Sequence, residues 1–402
     1  MSEPDKSPVS GARRIRLAIA GVIGSLGLAA AVNYLVNPYG AWRIELFNPI
    51  FRNILDERVA VPYMIRTAEP QTLLIGDSRV RWGMGIEQGE RYGVMNAAML
   101  GATLNEMAQL TNVALGSRAK SSHPRLKRIV WGVDFFGFDE RLAEARDSPT
   151  RARLDSPWGS ICQDTLLSLA MLDASQGVSQ RTVAGRKSLP PESVAEIPWD
   201  EELIRRAFAD PPKGLSLEDA ASTKRQVEAF MPPYENFRLS QNRIDLFGDS
   251  IARARRAGVE AVFFVPPMSE YELEMIRQTG KWPAFQKWKS QLVEIGPYWD
   301  FSGYNAIAYS DRMFLDVIHF KREVGFALLR RILGQSCAHC GSEAQMATQA
   351  GLLMDRATAA EALAEQDRRM LAAAHRPKNY ATIVRAVLAE HLRDATQSGG
   401  RN

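Results

Sequence analysis

The sequence has no basic stripe interleaved with aromatic residues, and its net charge is only +4 over 402 residues. Both absences argue against nucleic acid as a partner. No convincing internal repeat is present. Cysteine is scarce, with three in the whole chain. Two of them form Cys337-Ala338-His339-Cys340, and with no second C-x-x-C a zinc site would need His339 or distant ligands. A thioredoxin-like site would need the pair at a strand-to-helix turn, whereas this pair comes after the helical run Val324–Leu333. A structural disulfide or free thiols are the simpler readings, and Cys162 is left over as a small buried hydrophobe. No metal and no cofactor is expected. Nor does the chain lack the means to fold. At 46% hydrophobic and 24% charged residues it has the composition of a globular protein with a full core.

One run lacks charge altogether. Leu17–Val36 is long enough to span a bilayer as a helix. Lys6, Arg13, Arg14 and Arg16 precede it, so the positive-inside rule keeps the N-terminus cytoplasmic and exports the chain beyond Val36. Tyr34, Tyr39 and Trp42 would form an aromatic belt at the outer interface. The alternative is a cleaved signal peptide with Ala29-Ala30-Ala31 as its small-residue site. The apolar run continues past that site, which favours an anchor. The lipid bilayer is then the partner of residues 17–36, and the main domain lies outside the cytoplasm.

The organisation expected is a cytoplasmic tail (1–16), an anchor (17–36), a connector (37–70), an α/β domain (71–336) carrying an insertion (143–233), and a helical C-terminal extension (337–402). Short apolar runs at Gln71–Ile75, Gly93–Ala98, Arg128–Val133 and Val259–Val265 predict strands. Between them lie helical patterns: Thr103 with Glu106 in a capping box, then Ile244, Phe247, Ile251 and Ala254 at helical spacing. Tyr271–Gln278, Pro283–Ile295 and Glu323–Leu333 come next. Such alternation predicts a parallel sheet with helices on both faces, whose chemistry collects at the carboxyl ends of the strands. The insertion breaks the rhythm and reads as a mostly helical lid or cap. In the C-terminal extension, Thr358 and Glu361 suggest a second capping box, and Tyr380–Asp394 a further helix.

Two segments carry chemistry. Gly76-Asp77-Ser78 ends the first strand, and a loop is expected over Val80–Gly85. Asp316-Val317-Ile318-His319 lies far downstream. Together they supply a nucleophilic hydroxyl, a base and a carboxylate to orient the base. Alone, each is weak. A second Gly-Asp-Ser, Gly248-Asp249-Ser250, falls inside a predicted helix and reads as an ordinary helix-surface serine. Asp134 ends the third predicted strand, on the same side as Ser78. Trp82, Trp131 and Phe135 could offer faces to sugars or could be core.

With these residues in order, the chain resembles the SGNH/GDSL hydrolase superfamily over Gln71–Leu333, apart from the insertion. The resemblance implies a three-layer, flavodoxin-like α/β domain. It implies Ser78 as nucleophile, His319 as base and Asp316 as its partner. Asn96-Ala97-Ala98-Met99-Leu100-Gly101 matches the family's glycine block, implying the Gly101 N–H as an oxyanion donor beside that of Ser78. The family's third block departs. Where it has Gly-x-Asn-Asp, this chain has Gly132-Val133-Asp134-Phe135, and an ionised aspartate cannot donate. Either Asp134 is protonated, another donor such as Arg79 or Asn105 replaces it, or the site is slow or dead. Trp299–Asn305 (WDFSGYN) is similar to a phrase of membrane-anchored bacterial relatives, some of which move or remove acetyl groups on exported polysaccharides. The resemblance thus implies an esterase or O-acyltransferase acting on acyl esters of envelope glycans. The alternative is a non-catalytic scaffold of the same fold that binds envelope proteins.

Overall fold

In a computed structural model, residues 8–36, 57–84, 93–120, 125–142, 220–335, 349–375 and 380–399 are described. The three cysteines, Tyr39, Trp42 and the insertion up to residue 219, including the helical pattern at Glu201–Ala209, lie outside them. The chain divides into two compact units, residues 1–68 with 146–190, and residues 69–145 with 191–402.

The first unit contributes two described helices, α1 (Pro8–Val36) and α2 (Glu57–Ala68). Within α1, Gly11–Leu35 is long and apolar enough to cross a membrane. Its Leu17, Ile23 and Leu28 are exposed, as side chains facing lipid would be. The connector expected over 37–70 is helical in its second half. Pro62 sits inside α2 and masks its periodicity in the sequence.

The second unit is built on a six-stranded sheet. Its elements are β1 (Thr72–Ile75), α3 (Ser78–Gly83), β2 (Val94–Asn96), α4 (Leu104–Lys120), β3 (Arg128–Gly132), α5 (Ala220–Phe230) and α6 (Pro232–Glu235). They continue with α7 (Gln241–Arg256), β4 (Glu260–Val265), α8 (Glu270–Gln278), α9 (Trp282–Ile295), β5 (Tyr298–Asp300), α10 (Arg322–Ile332), β6 (Leu352–Met354), α11 (Ala359–Ala373) and α12 (Tyr380–Gly399). The strand order is β2-β1-β3-β4-β5-β6. The first five are parallel, and β6 joins antiparallel to β5. A parallel sheet covered on both faces needs strands apolar throughout. Every residue of β1 is buried, as are Ile129 to Gly132 in β3.

Alternation along the strands sorts the core. Leu74, Val130 and Phe264 face one layer with Val80 of α3, Phe320, and Val324, Ala327 and Leu328 of α10. Trp131 and Phe263 face the other, where both pack on Phe247 of α7. Trp131 and Phe135 are therefore core side chains, 1% and 0% exposed, and not sugar platforms. Ile244, Phe247, Ile251 and Ala254 are all buried in α7, as their spacing predicted. Ser250 of the second Gly-Asp-Ser lies in the same helix. It is buried rather than on the surface, and its hydroxyl donates to the Leu246 carbonyl (2.9 Å).

The C-terminal segment is not wholly helical, because β6 extends the sheet. Gln366 of α11 enters a buried ion pair between Lys289 and Asp300 (2.9 Å). It accepts from Lys289 Nζ (2.7 Å) and donates to Asp300 Oδ2 (2.8 Å). The start of α11 also differs from the expected capping box. Thr358 makes no side-chain cap, and Asp355 accepts the Ala357 and Thr358 N–H groups instead (2.9 Å each). In α4 the expected box is present, with Thr103 N–H on Glu106 Oε2 (3.0 Å) and Glu106 N–H on Thr103 Oγ1 (3.3 Å).

Candidate active site

The strand order reverses between β1 and β3, since β2 lies outside β1 and the chain then crosses to the far side. In open parallel sheets that crevice, beyond the carboxyl ends of the strands, is where ligands bind. Ser78 comes after β1 there, and Asp134 after β3. Ile75 pairs with Trp131, so each stands three residues past a paired position.

Ser78 opens α3 directly; the loop expected over Val80–Gly85 is helical as far as Gly83. Asp77 is the N-cap, and its Oδ1 accepts the Arg79 N–H (3.0 Å), which satisfies one orphan donor of the first turn. The turn must be tight. A Cβ at Gly76 would lie 2.3 Å from Val80 Cγ2, and one at Gly83 would lie 2.1 Å from Phe320 Cε2. Phe320 is the residue after His319, so α3 lies against the segment that carries His319.

That segment folds back on itself. Phe314 and Phe320 form an antiparallel bridge, and the Leu315 N–H donates to the His319 carbonyl (2.7 Å). Asp316 Oδ1 accepts the N–H groups of Ile318 (2.9 Å) and His319 (2.8 Å). Its Oδ2 stands 2.7 Å from His319 Nδ1. On the other side of the ring, His319 Nε2 stands 2.9 Å from Ser78 Oγ. With Nδ1–H donating to the carboxylate, Nε2 is the acceptor for the serine hydroxyl. Ser78, Asp316 and His319 thus form one hydrogen-bonded line, with Asp316 buried and the other two half-buried. Burial alone would raise the Asp316 carboxyl. The hydrogen bond and electrostatic attraction of His319 and the two amides outweigh it, and the group titrates below the usual aspartate range. Phe230 of α5 sets its ring edge-on to His319, centroids 6.2 Å apart.

The glycine block runs beside this turn. The Ala97 N–H donates to Leu74 O (2.8 Å) and the Met99 N–H to Gly76 O (3.2 Å). Asn96 has a role that the sequence did not reveal. Its Nδ2 donates to Val80 O (3.0 Å) and Met84 O (2.8 Å), and its Oδ1 accepts from Ala98 N–H (2.9 Å). It thereby ties the end of α3 to the block. Gly101 has φ 60°, a left-handed turn that glycine adopts without steric cost.

Arg79 is not placed as a replacement donor. It is 0% exposed, and its fork holds Glu272 through Nη1–Oε2 (2.8 Å) and Nη2–Oε1 (2.5 Å). Tyr234 adds its hydroxyl to Glu272 Oε1 (2.6 Å). Arg79 Nε approaches Asp134 Oδ2 to 2.9 Å, yet neither atom has the alignment of a hydrogen bond. Burial would lower the Arg79 guanidinium, but Asp134 and Glu272 hold it charged, well above the usual arginine range. Burial pushes the Asp134 carboxyl well above the aspartate range. Arg79 opposes this, and the neighbouring Asp77 and Glu272 carboxylates add to the rise. The direction of that shift favours the protonated carboxyl, which can donate. Asn105 sits in the first turn of α4, half-buried. Trp82 is 42% exposed, one helical turn beyond Ser78. Among the described residues no cluster of His, Cys, Asp and Glu could hold a metal ion.

The phrase Trp299–Asn305 is structural. Asp300 Oδ1 accepts from the Ser302 N–H (3.0 Å) and hydroxyl (2.6 Å). The Tyr304 hydroxyl donates to Glu274 Oε1 (2.8 Å). No protein-family model matches this chain, and no curated protein matches it.

Proposed function

We propose that the chain is a membrane-anchored serine esterase or O-acyltransferase of SGNH/GDSL type, acting on acyl esters of envelope or exported glycans. The observation that carries this reading is the line Ser78 Oγ–His319 Nε2–Asp316, with contacts of 2.9 and 2.7 Å, at the switch point of a parallel sheet. An order of 2-1-3-4-5 is that of flavodoxin-like sheets, and it supports the fold that the resemblance implies.

In this reading Ser78 Oγ attacks the acyl carbonyl carbon, and its proton passes to His319 Nε2. The C–O bond to the leaving alcohol breaks as His319 returns that proton to it. Water or a sugar hydroxyl then attacks the acyl-serine ester, giving its own proton to His319; the bond from the acyl carbon to Ser78 Oγ breaks, and His319 returns the proton to that oxygen. Asp316, held ionised, stabilises the imidazolium that forms in each half. The Ser78 and Gly101 N–H groups, with Asp134 in its neutral form, are the proposed donors to the oxyanion. Exposed Trp82, at i+4 from Ser78 on one helix face, offers an aromatic surface to a sugar ring. Helix α1 anchors the chain in a bacterial inner membrane with its N-terminus cytoplasmic and the catalytic unit outside.

The test is labelling of the full-length protein in detergent with a fluorophosphonate probe. Wild type should label, and Ser78→Ala and His319→Ala should each lose about 10⁴-fold or more. A folded wild type that does not label would overturn the reading. The scaffold alternative is favoured by one observation, the approach of Arg79 Nε to Asp134 at 2.9 Å. Under it, Ser78→Ala would keep full biological function while deletion of α12 would not.

A further inference from the structure

We infer that the first turn of α8, assisted by α5, is a frame that sets the distance between Ser78 and His319, with Ser269 as its central positioning residue. The inference rests on the reading of Ser78 and His319 as nucleophile and base. Val317 lies between Asp316 and His319, and its peptide groups are gripped from two sides. Its N–H donates to Gln226 Oε1 of α5 (3.1 Å). Its carbonyl accepts from the Ser269 hydroxyl. Ser269 is 1% exposed, and the same oxygen accepts the Glu272 N–H (3.2 Å) as N-cap of α8.

The other half of the site hangs from the same turn. Glu272 holds both Nη atoms of Arg79, the chain neighbour of Ser78. Tyr234 of α6 fixes the carboxylate further. One helical turn therefore carries a hydroxyl that holds the base segment and a carboxylate that holds the nucleophile turn. These bonds are directional and buried, so they define geometry in a way that the apolar contact of Phe320 with Gly83 cannot. Reacting groups misplaced by 1 Å can lose about 10²-fold in rate. Ser269 and Arg79 touch no substrate in this scheme; they act through Val317 and Ser78.

Ser269→Ala removes both the cap and the clamp, whereas Ser269→Thr keeps a hydroxyl and is itself a good N-cap. In the full-length protein in detergent, Ser269→Ala should lower the maximal rate constant of fluorophosphonate labelling about 10- to 100-fold. The probe concentration giving half that rate should not change, and Ser269→Thr should restore the rate. Labelling of folded Ser269→Ala at the wild-type rate would overturn the inference.

A second measurement needs no activity. The chain has five histidines, so ¹³C-histidine spectra are sparse, and His319→Gln assigns the His319 ring. Ser78→Ala should shift the His319 Cε1–H resonance in the wild-type background and shift it several-fold less in Ser269→Ala, as a double-mutant cycle on a broken contact. Equal shifts in the two backgrounds would refute the frame. A wild type that fails to label would instead count against the nucleophile reading, and the resonance comparison would still decide the frame.

Discussion

Ser78 Oγ and His319 Nε2 stand 2.9 Å apart although 241 residues of chain separate them. Their meeting depends on how closely α3 and α10 can approach. A Cβ at Gly325 of α10 would lie 2.0 Å from the Gly83 carbonyl oxygen, a backbone atom that cannot swing away.

Gly325→Ala should therefore force the two helices apart. Overpacking of this kind costs about 1–3 kcal/mol, and fluorophosphonate labelling should fall with it. Gly116→Ala on α4 is the control, because a Cβ there meets nothing within 4 Å. Relief of glycine's backbone entropy should stabilise that variant by about 0.5–1 kcal/mol. Thermal unfolding of both variants in detergent checks the pair, and equal melting temperatures would contradict it.

Among the described residues, Arg79 is the cation that both the Glu272 and Asp134 carboxylates meet, and all three side chains are buried. Arg79→Met should strand the buried Glu272 carboxylate and cost about 3–5 kcal/mol. Arg79→Lys should not restore stability, because the two-pronged grip on Glu272 needs the guanidinium fork. Chemical denaturation reads both, and a loss below about 1 kcal/mol in Arg79→Met would show that the cluster holds little.

Asp316 gives a pH dependence of definite sign. Its native carboxyl titrates below the aspartate range, so its ionised form is favoured by folding. That stabilisation is complete above the unfolded value of about 3.9 and is lost as pH falls through the lower native value. Wild type should melt above Asp316→Asn at pH 7, and the gap should close in strong acid below about pH 3.9. A gap unchanged there would mean that the contacts Asp316 makes with Ile318 and His319 do not depend on its charge.

Removal of residues 1–36 should release the protein from the membrane fraction into the soluble one, since α1 carries the span Gly11–Leu35. A reporter that folds only in an oxidising compartment, fused after Asn402, should be active. An inactive reporter on a membrane-bound chain would reverse the proposed orientation.

Long elements were legible in the sequence because periodicity accumulates over many residues. The helix carrying Ile244, Phe247, Ile251 and Ala254 and the apolar run of β4 are both of this kind. Of the short elements, β1 and β2 were legible as apolar runs, but others were not. β5 and β6 have three residues each, too few to show alternation, and Pro62 hid α2. Ser78, Asp316 and His319 were readable because each sits in a compact segment, and the structure brings these three together. Asn96, Ser269, Glu272 and Tyr234 were not readable, for their partners are distant in the chain and a buried polar residue carries no local mark. Gly83 beside Gly325 was invisible for the same reason.

By itself, the sequence determined what depends on neighbours along the chain. That includes the apolar span, the strands that bury both faces, the cap that starts α4, and the Asp316 amide bonds within its own turn. Tertiary structure alone decided that Ser78 Oγ and His319 Nε2 stand within 2.9 Å of each other. It also put Arg79 into an ion cluster rather than toward a substrate, and made Trp131 core while leaving Trp82 exposed. Those outcomes turn on close approach and burial, and both are set by where the sheet brings distant segments together.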